Sequence, residues 1–299
     1  MRQVVGLFAM LSLLFAFVAP AMAQEATPEP SPTLLAALGY PELRITVDDD
    51  GVDLPDQVNA GRTLIVYENA SQESLHPLML RLPDGVSVDQ AMADLGPEAM
   101  EPPAWFFEAH FPGFVGETVP GQTTYAVVDL MAGTHLVLHD SAVMLEVVGN
   151  DATPTAEAAP TADASVGMKE MAYAFPSTIT AGPQVWEVTN NGTVPHEMLL
   201  VRSSQPMTTV QIIELFSSDD ENATPVDGGP SLADIEPIGG MGWLSPGTTA
   251  WTEVDLEAGT YFALCFVYDP ETGEPHLMQG MVGIISVDEA SPTEATPAA

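Results

Sequence analysis

The chain has 299 residues and carries 42 acidic side chains against 6 basic ones, a formal net charge of −36 at pH 7. So strong a negative field repels phosphate backbones and anionic lipid heads, which excludes nucleic acid and a membrane surface as partners and leaves basic or weakly charged ones. A single cysteine, Cys265, excludes an intramolecular disulfide, so its thiol is either buried and inert or held by a metal.

The N-terminus reads as an export signal. Arg2 precedes an apolar stretch over residues 4–18, and Ala21-Met22-Ala23 before Gln24 forms a small-residue cleavage site. Residues 1–23 are therefore expected to be a signal peptide. The mature protein is expected in the periplasm, at the cell surface or outside the cell. No later segment has about 18 uninterrupted apolar residues, so no membrane insertion is expected after signal cleavage, and an uncleaved signal acting as a tether is the alternative. Three segments rich in Ala, Thr, Pro and Glu cannot build a core: 24–33 and 150–165 read as linkers and 289–299 as a disordered tail. Between them lie two blocks of ordinary domain size, 34–149 and 166–288.

The blocks are internal repeats. Pro55 and Pro176, Ala60-Gly61 and Ala181-Gly182, and Gln90 and Gln211 are each 121 apart; His76 and His196 are 120 apart; VPGQTTYAVVDLMAGT and SPGTTAWTEVDLEAGT are 126 apart. Within each block, short alternating apolar runs such as TLIVYEN, QTTYAVVDL, QVWEVTN, TTAWTEVDL and TYFALCFV are bounded by Gly, Pro and Asn, the pattern of half-buried strands. Ser87-x-x-Gln90 and Thr208-x-x-Gln211 are capping-box signatures that open one short helix per block, after the strand that follows each histidine. The expected fold is all-β: two tandem Greek-key β-sandwiches, each with one short inserted helix.

Chemistry concentrates in the second block. His196 ends the turn VTNNGTVPH, Cys265 closes the strand GTYFALC, and His276 and Met281 lie in PHLMQGMVG, with spacing C-x10-H-x4-M. One thiolate, two imidazoles and a weak axial thioether form the donor set of a mononuclear electron-transfer copper site. These three segments resemble the ligand-bearing segments of the cupredoxins, the blue copper proteins of the plastocyanin and halocyanin type. The resemblance implies a cupredoxin-like domain in which His196, Cys265, His276 and Met281 hold one copper ion and Pro195 shapes the turn. It implies electron transfer, with a basic redox partner fitting the acidic surface. Two features depart from the plastocyanin-like pattern: the loop from Cys265 to His276 is longer, nearer that of copper nitrite reductases, and Glu197 stands where Asn is usual. Met278 and Gln279 are competing axial groups. A metal-free sandwich, with His196 and Met281 as core residues, is the alternative.

The first block keeps a histidine, His76, but has His139 in place of the cysteine. Cys265 and Met281 are 16 residues apart, whereas His139 and Met144 are 5 apart, so the ligand loop is missing and the block reads as a degenerate cupredoxin-like domain. His135, Val137 and His139 share one face of a strand, so His76 and His139 could meet, either as a weak Cu(II) or zinc site or as structural histidines. The aromatic segment AWFFEAHFPGF (104–114) reads as domain-packing surface or a docking patch, and the acidic segment 217–229 as a solvated loop or a docking face. Catalysis is not expected. Leu264 and Phe266 flank Cys265, no His-x-His pair exists to wire a second copper, and no Gly-rich phosphate loop is present. Two other functions stay open: copper storage or delivery with some of the 15 methionines as soft ligands, and a metal-free extracytoplasmic interaction module.

Overall fold

The structure is a computed structural model that describes residues 33–96, 102–139, 142–149, 158–217 and 230–290. The expected signal peptide, most of the first linker, half of the second, nearly all of the acidic segment 217–229 and the last nine residues lie outside the described residues.

The first unit contains β1 (Glu42–Asp48), β2 (Gly51–Asp53), β3 (Gln57–Asn59), β4 (Gly61–Asn69), β5 (Leu78–Arg81), α1 (Val88–Asp94), β6 (Thr123–Leu130), β7 (Gly133–Leu138) and β8 (Ala142–Val148). The second contains β9 (Ala164–Lys169), β10 (Ala172–Ala174), β11 (Ile179–Thr180), β12 (Gly182–Asn190), β13 (His196–Ser203), α2 (Thr209–Ser217), β14 (Ile235–Leu244), β15 (Thr249–Leu256), β16 (Gly259–Leu264) and β17 (Val282–Asp288). The small sheet of the first unit runs β3-β8-β7-β5; that of the second runs β11-β17-β16-β13-β14. Strand for strand they match, with β14 added. Antiparallel pairs dominate, but β1 joins β4, β3 joins β8, β9 joins β12 and β11 joins β17 in parallel.

The other halves of the two sandwiches are fused. β10-β9-β12-β15 of the second unit continues into β6-β4-β1-β2 of the first as one eight-stranded sheet. The junction is the antiparallel pair β15–β6, where Thr252 faces Ala126 and Trp251 faces Val127. In the sequence repeat, Ala126 and Thr252 occupy the same place, 126 residues apart. The two units therefore meet edge to edge about a local two-fold axis, as the copies of a symmetric dimer do. Neither β6 nor β15 is left as an open edge that could recruit another chain.

Alternation explains which residues are inside. Leu43, Ile45 and Val47 of β1 point to the sandwich interior while their neighbours face out. β4 is buried on both faces: Ile65 and Tyr67 enter the main core, and Leu64 and Val66 join Leu35, Val127, Val185 and Trp251 on the outer face. That outer cluster is why the segment before β1 folds back, with Leu35 wholly buried. Both helices form where the caps predict. At α2 the capping box is complete, with Gln211 N–H donating to Thr208 Oγ1 and Thr208 N–H to Gln211 Oε1. At α1 only the Ser87 half forms, and the Gln90 side chain turns to Asp94.

The aromatic segment 104–114 is packing surface between the units. Phe106 and Phe111 close on Trp243 of the second unit at centroid distances of 5.7 and 5.0 Å. The backbone follows: Gly113 N–H donates to Trp243 O, Gly242 N–H to Phe114 O and Ser245 N–H to Phe111 O. Arg62 of the first unit, paired with Asp129, also lies over the Trp251 ring at 4.7 Å. At Gly116 the two backbones come so close that a Cβ would sit 2.5 Å from the carbonyl carbon of Gly239. Replacing Gly116 by Ala should therefore cost about 1–3 kcal/mol of stability, read as a lower denaturation midpoint. An unchanged midpoint would mean that the units do not meet there.

Candidate metal centre

Cys265 follows directly on β16 and alternation decides its direction. Ala263 and Cys265 face the main core, whereas Leu264 and Phe266 face the opposite side, beneath α2. His196 is the first residue of β13, the strand paired with β16. The turn before it is closed by Asn190, whose side-chain amide donates to Val194 O and Leu244 O while its oxygen accepts from Gly192 N–H. Asn69, 121 residues earlier, does the same work in the first unit, donating to Glu73 O and Thr118 O. This pair of buried asparagines was legible as a repeat identity, though its role was not.

The long loop after Cys265 does not wander. Tyr268 and Pro275 form a bridge, the Asp269 carboxylate accepts from the N–H groups of Glu271 and Thr272, and Gly273, at φ +69°, takes the left-handed turn. The extra length is a self-contained hairpin that returns the chain to its starting point. His276 N–H then donates to Val267 O at 2.9 Å and Leu277 N–H to Cys265 O at 2.7 Å. Met281 N–H closes on His276 O at 2.9 Å. Gln279 is engaged with Asp269 and Thr272, and Met278 packs with the cluster under α2, while Met281 is fully buried in the same core cluster as Cys265.

The outcome is a buried triangle of donor atoms. His196 Nδ1 and His276 Nδ1 are 3.1 Å apart, and Cys265 Sγ lies 3.4 Å from His276 Nδ1 and 3.9 Å from His196 Nδ1. The circle through three points with those separations has a radius of about 2.0 Å, the length of a first-row metal's bond to imidazole nitrogen. Among the described residues this is the one group of three or more His, Cys, Asp or Glu able to hold a metal ion. With Met281 it is a type 1 copper-like site.

Both units are two-sheet β-sandwiches with the same strand order in their small sheets. A scan against protein-family models matches none of them, and no curated protein matches the sequence. Among solved structures the chain is similar to dithionite-reduced auracyanin from the photosynthetic bacterium Roseiflexus castenholzii, at 22% identity and a TM-score of 0.26, over 41% of this chain and 94% of that one. It is also similar to a copper-containing nitrite reductase from Thermus scotoductus, at 10% identity and a TM-score of 0.23, over 83% of this chain and 61% of that one. A multicopper oxidase from Pediococcus acidilactici is similar at 11% identity and a TM-score of 0.21, over 85% and 60%.

Two carboxylates, Glu170 and Glu197, lie beside the buried donors. Glu170 Oε1 accepts from the N–H groups of Thr193 and Val194 and from the Thr193 hydroxyl, and it stands 3.8 Å from His196 Nε2. Those bonds hold its carboxyl down at about 2. Gly192 lies against both groups: a Cβ there would sit 2.7 Å from Glu170 Oε1 and 3.0 Å from His196 Nε2, so the Glu170 carboxylate would have to shift. The Glu197 side chain is fully buried, with Oε1 accepting from Phe266 N–H at 2.7 Å and Oε2 at 2.9 Å from His76 Nε2 of the first unit. Tyr173 donates to the Glu197 carbonyl at 2.7 Å. Glu170, Tyr173 and the His76–Glu197 contact carry no sequence signal, because each joins residues distant along the chain.

Without metal the donors are neutral. Burial, and then the neighbouring His276, lowers His196 to about 4; burial also lowers His276. Burial, reinforced by the Glu197 charge, pushes the Cys265 thiol well up. A metal cation therefore meets two neutral imidazoles and displaces a thiol proton. Elsewhere, burial lowers His110 and His135 to about 4, and the ring of His135 is fixed by a 3.1 Å contact between Nδ1 and Gly133 O. Burial also acts to lower His76, but the Glu197 and Glu117 carboxylates more than offset it and hold it above 6.5. Glu117 is pushed up to about 7 by burial.

These shifts set an acid limit for the metal-free protein. A histidine lowered in the fold leaves the unfolded chain binding more protons between the folded value, about 4, and the ordinary 6.5, so stability falls as pH drops through that window. His110, His135, His196 and His276 act in this direction; Glu117, raised to about 7, opposes them, whereas the contribution of His76, raised above 6.5, changes only at higher pH. The denaturation midpoint should therefore fall from pH 6.5 to 4, each group contributing at most about 1.4 kcal/mol per pH unit. A midpoint that rises over this range would contradict the burial of these rings.

Proposed function

We propose that this is an exported, non-enzymatic cupredoxin-like protein whose second unit holds one copper ion for electron transfer. The observation that carries the reading is the triangle of His196 Nδ1, Cys265 Sγ and His276 Nδ1, whose size fits a single ion bound by all three. Copper bound there would supply reversible one-electron exchange.

The chain's own residues supply the rest. The backbone bonds of the loop fix His276 against Cys265, Asn190 fixes the turn that presents His196, and the β13–β16 ladder fixes the distance between them. Such a frame imposes one donor geometry on both oxidation states, so little has to reorganise when charge changes. The burial of all three donors excludes water as a further ligand. Met281, buried in the same core cluster as Cys265, would offer a weak thioether to the ion. Glu170, with its side chain 40% exposed, is the group between the outer edge of His196 and solvent. A carboxylate there, on a chain of net charge −36, suits a basic redox partner.

The reading against catalysis rests on Leu264 and Phe266 beside Cys265 and on the absence of any His-x-His pair from the sequence. Export rests on the N-terminal signal pattern. No helix of the described residues is long and apolar enough to cross a membrane.

Adding one equivalent of Cu(II) to the purified mature protein should produce an intense thiolate-to-copper band in the visible spectrum. The band should bleach and return through cycles of reduction and oxidation, and Cys265→Ser should abolish it. Copper bound with no such band, or a band unchanged in Cys265→Ser, would contradict the assignment.

A further inference from the structure

The two units are built alike, yet only the second has the donor set. His76 holds in the first unit the place that His196 holds in the second, with neither a cysteine nor a ligand loop to serve. Its side chain crosses the boundary between the units. Nε2 lies 2.9 Å from Glu197 Oε2, with 5% and 0% of the two side chains exposed.

Glu197 is an expensive residue to place there. A buried carboxylate costs several kcal/mol unless its oxygens are met by donors, and it is most stable where those donors are held rigidly. The scaffold does not require it, because the residue at the matching position of the first unit, 120 earlier, is Pro77. Its two oxygens have definite tasks. Oε1 accepts from the N–H of Phe266, the residue after Cys265, and Oε2 meets His76. Glu197 itself follows His196 directly. One carboxylate thus ties together the chain next to two of the donors, and a side chain from the other unit holds that carboxylate in place.

We propose that the first unit is an integral part of the metal centre: His76 is a positioning residue that fixes Glu197 and, through the Phe266 N–H, the orientation of Cys265. Tyr173, donating to the Glu197 carbonyl, fixes the same residue from the backbone side. Glu117, 3% exposed and acting electrostatically on His76, favours the donor form of the imidazole. The first unit lacks the donor set, and its one matching histidine serves this purpose.

The inference rests on the copper reading, and the test separates the two. In full-length, copper-loaded protein, His76→Ala should weaken copper retention by about 10–100-fold, the usual effect of losing a group that orients a metal ligand. It should also move the charge-transfer band and the reduction potential. His76→Gln places an amide N–H donor near Glu197 and should recover most of both. Glu197→Gln keeps an oxygen for Phe266 N–H and nearly the same volume but removes a buried carboxylate close to the thiolate, so it should raise the reduction potential; this variant carries the test if His76→Ala does not fold. A merely structural role for His76 would lower the denaturation midpoint and leave band and potential where they are, which would overturn the proposal. A Glu197→Gln potential at or below that of the unmutated protein would do the same. Absence of any thiolate–copper band in the unmutated protein would instead overturn the copper reading and the inference with it.

Discussion

Two backbone hydrogen bonds, from His276 N–H to Val267 O and from Leu277 N–H to Cys265 O, hold the site together. Cys265 leaves β16 pointing into the core, and the next donor is eleven residues further on. A free loop of that length would carry His276 anywhere on the end of the sandwich. The hairpin built around Asp269 and Gly273 instead cancels the extra residues, so that the chain re-enters beside its own exit. With His196 already fixed on the neighbouring strand, the three donor atoms have nowhere else to be. Their convergence follows from the ladder and the loop together, and it sets aside two buried, neutral imidazoles whose Nδ1 atoms face one another.

The arrangement of the two units extends this logic. Each unit contributes half of the eight-stranded sheet, and the joint lies at the strand pair where the repeat meets its own equivalent. An aromatic plug from the first unit, with Phe106 and Phe111 against Trp243, fills the angle between the small sheets. At Gly116 the two backbones are in direct contact. A polar contact crosses the same boundary, that between His76 and Glu197, one residue away from a donor.

Much of this was readable in the residues. The repeat, the short apolar runs that became β4, β6, β12, β15 and β16, the caps of both helices and the order of His196, Cys265, His276 and Met281 are all local patterns, and local patterns survive into the fold. The His-x4-Met spacing pointed to Met281, but the reason Met278 is set aside was not readable, because it depends on which face of the sheet each side chain reaches. Nor was the fusion of the sheets, since β6 and β15 look like any half-buried strands and sequence does not name a pairing partner. Glu197 looked like a departure from a family pattern. Its meaning appeared only when a histidine 121 residues upstream was found against it, a contact set by the assembly of the two units and by no spacing within either.

The most direct test of the account is X-ray absorption at the copper edge of the loaded protein. The account predicts one sulfur scatterer at short range, with two imidazole nitrogens at about 2.0 Å. A first shell of nitrogen and oxygen alone, with no sulfur, would show that Cys265 is not a ligand and would contradict it.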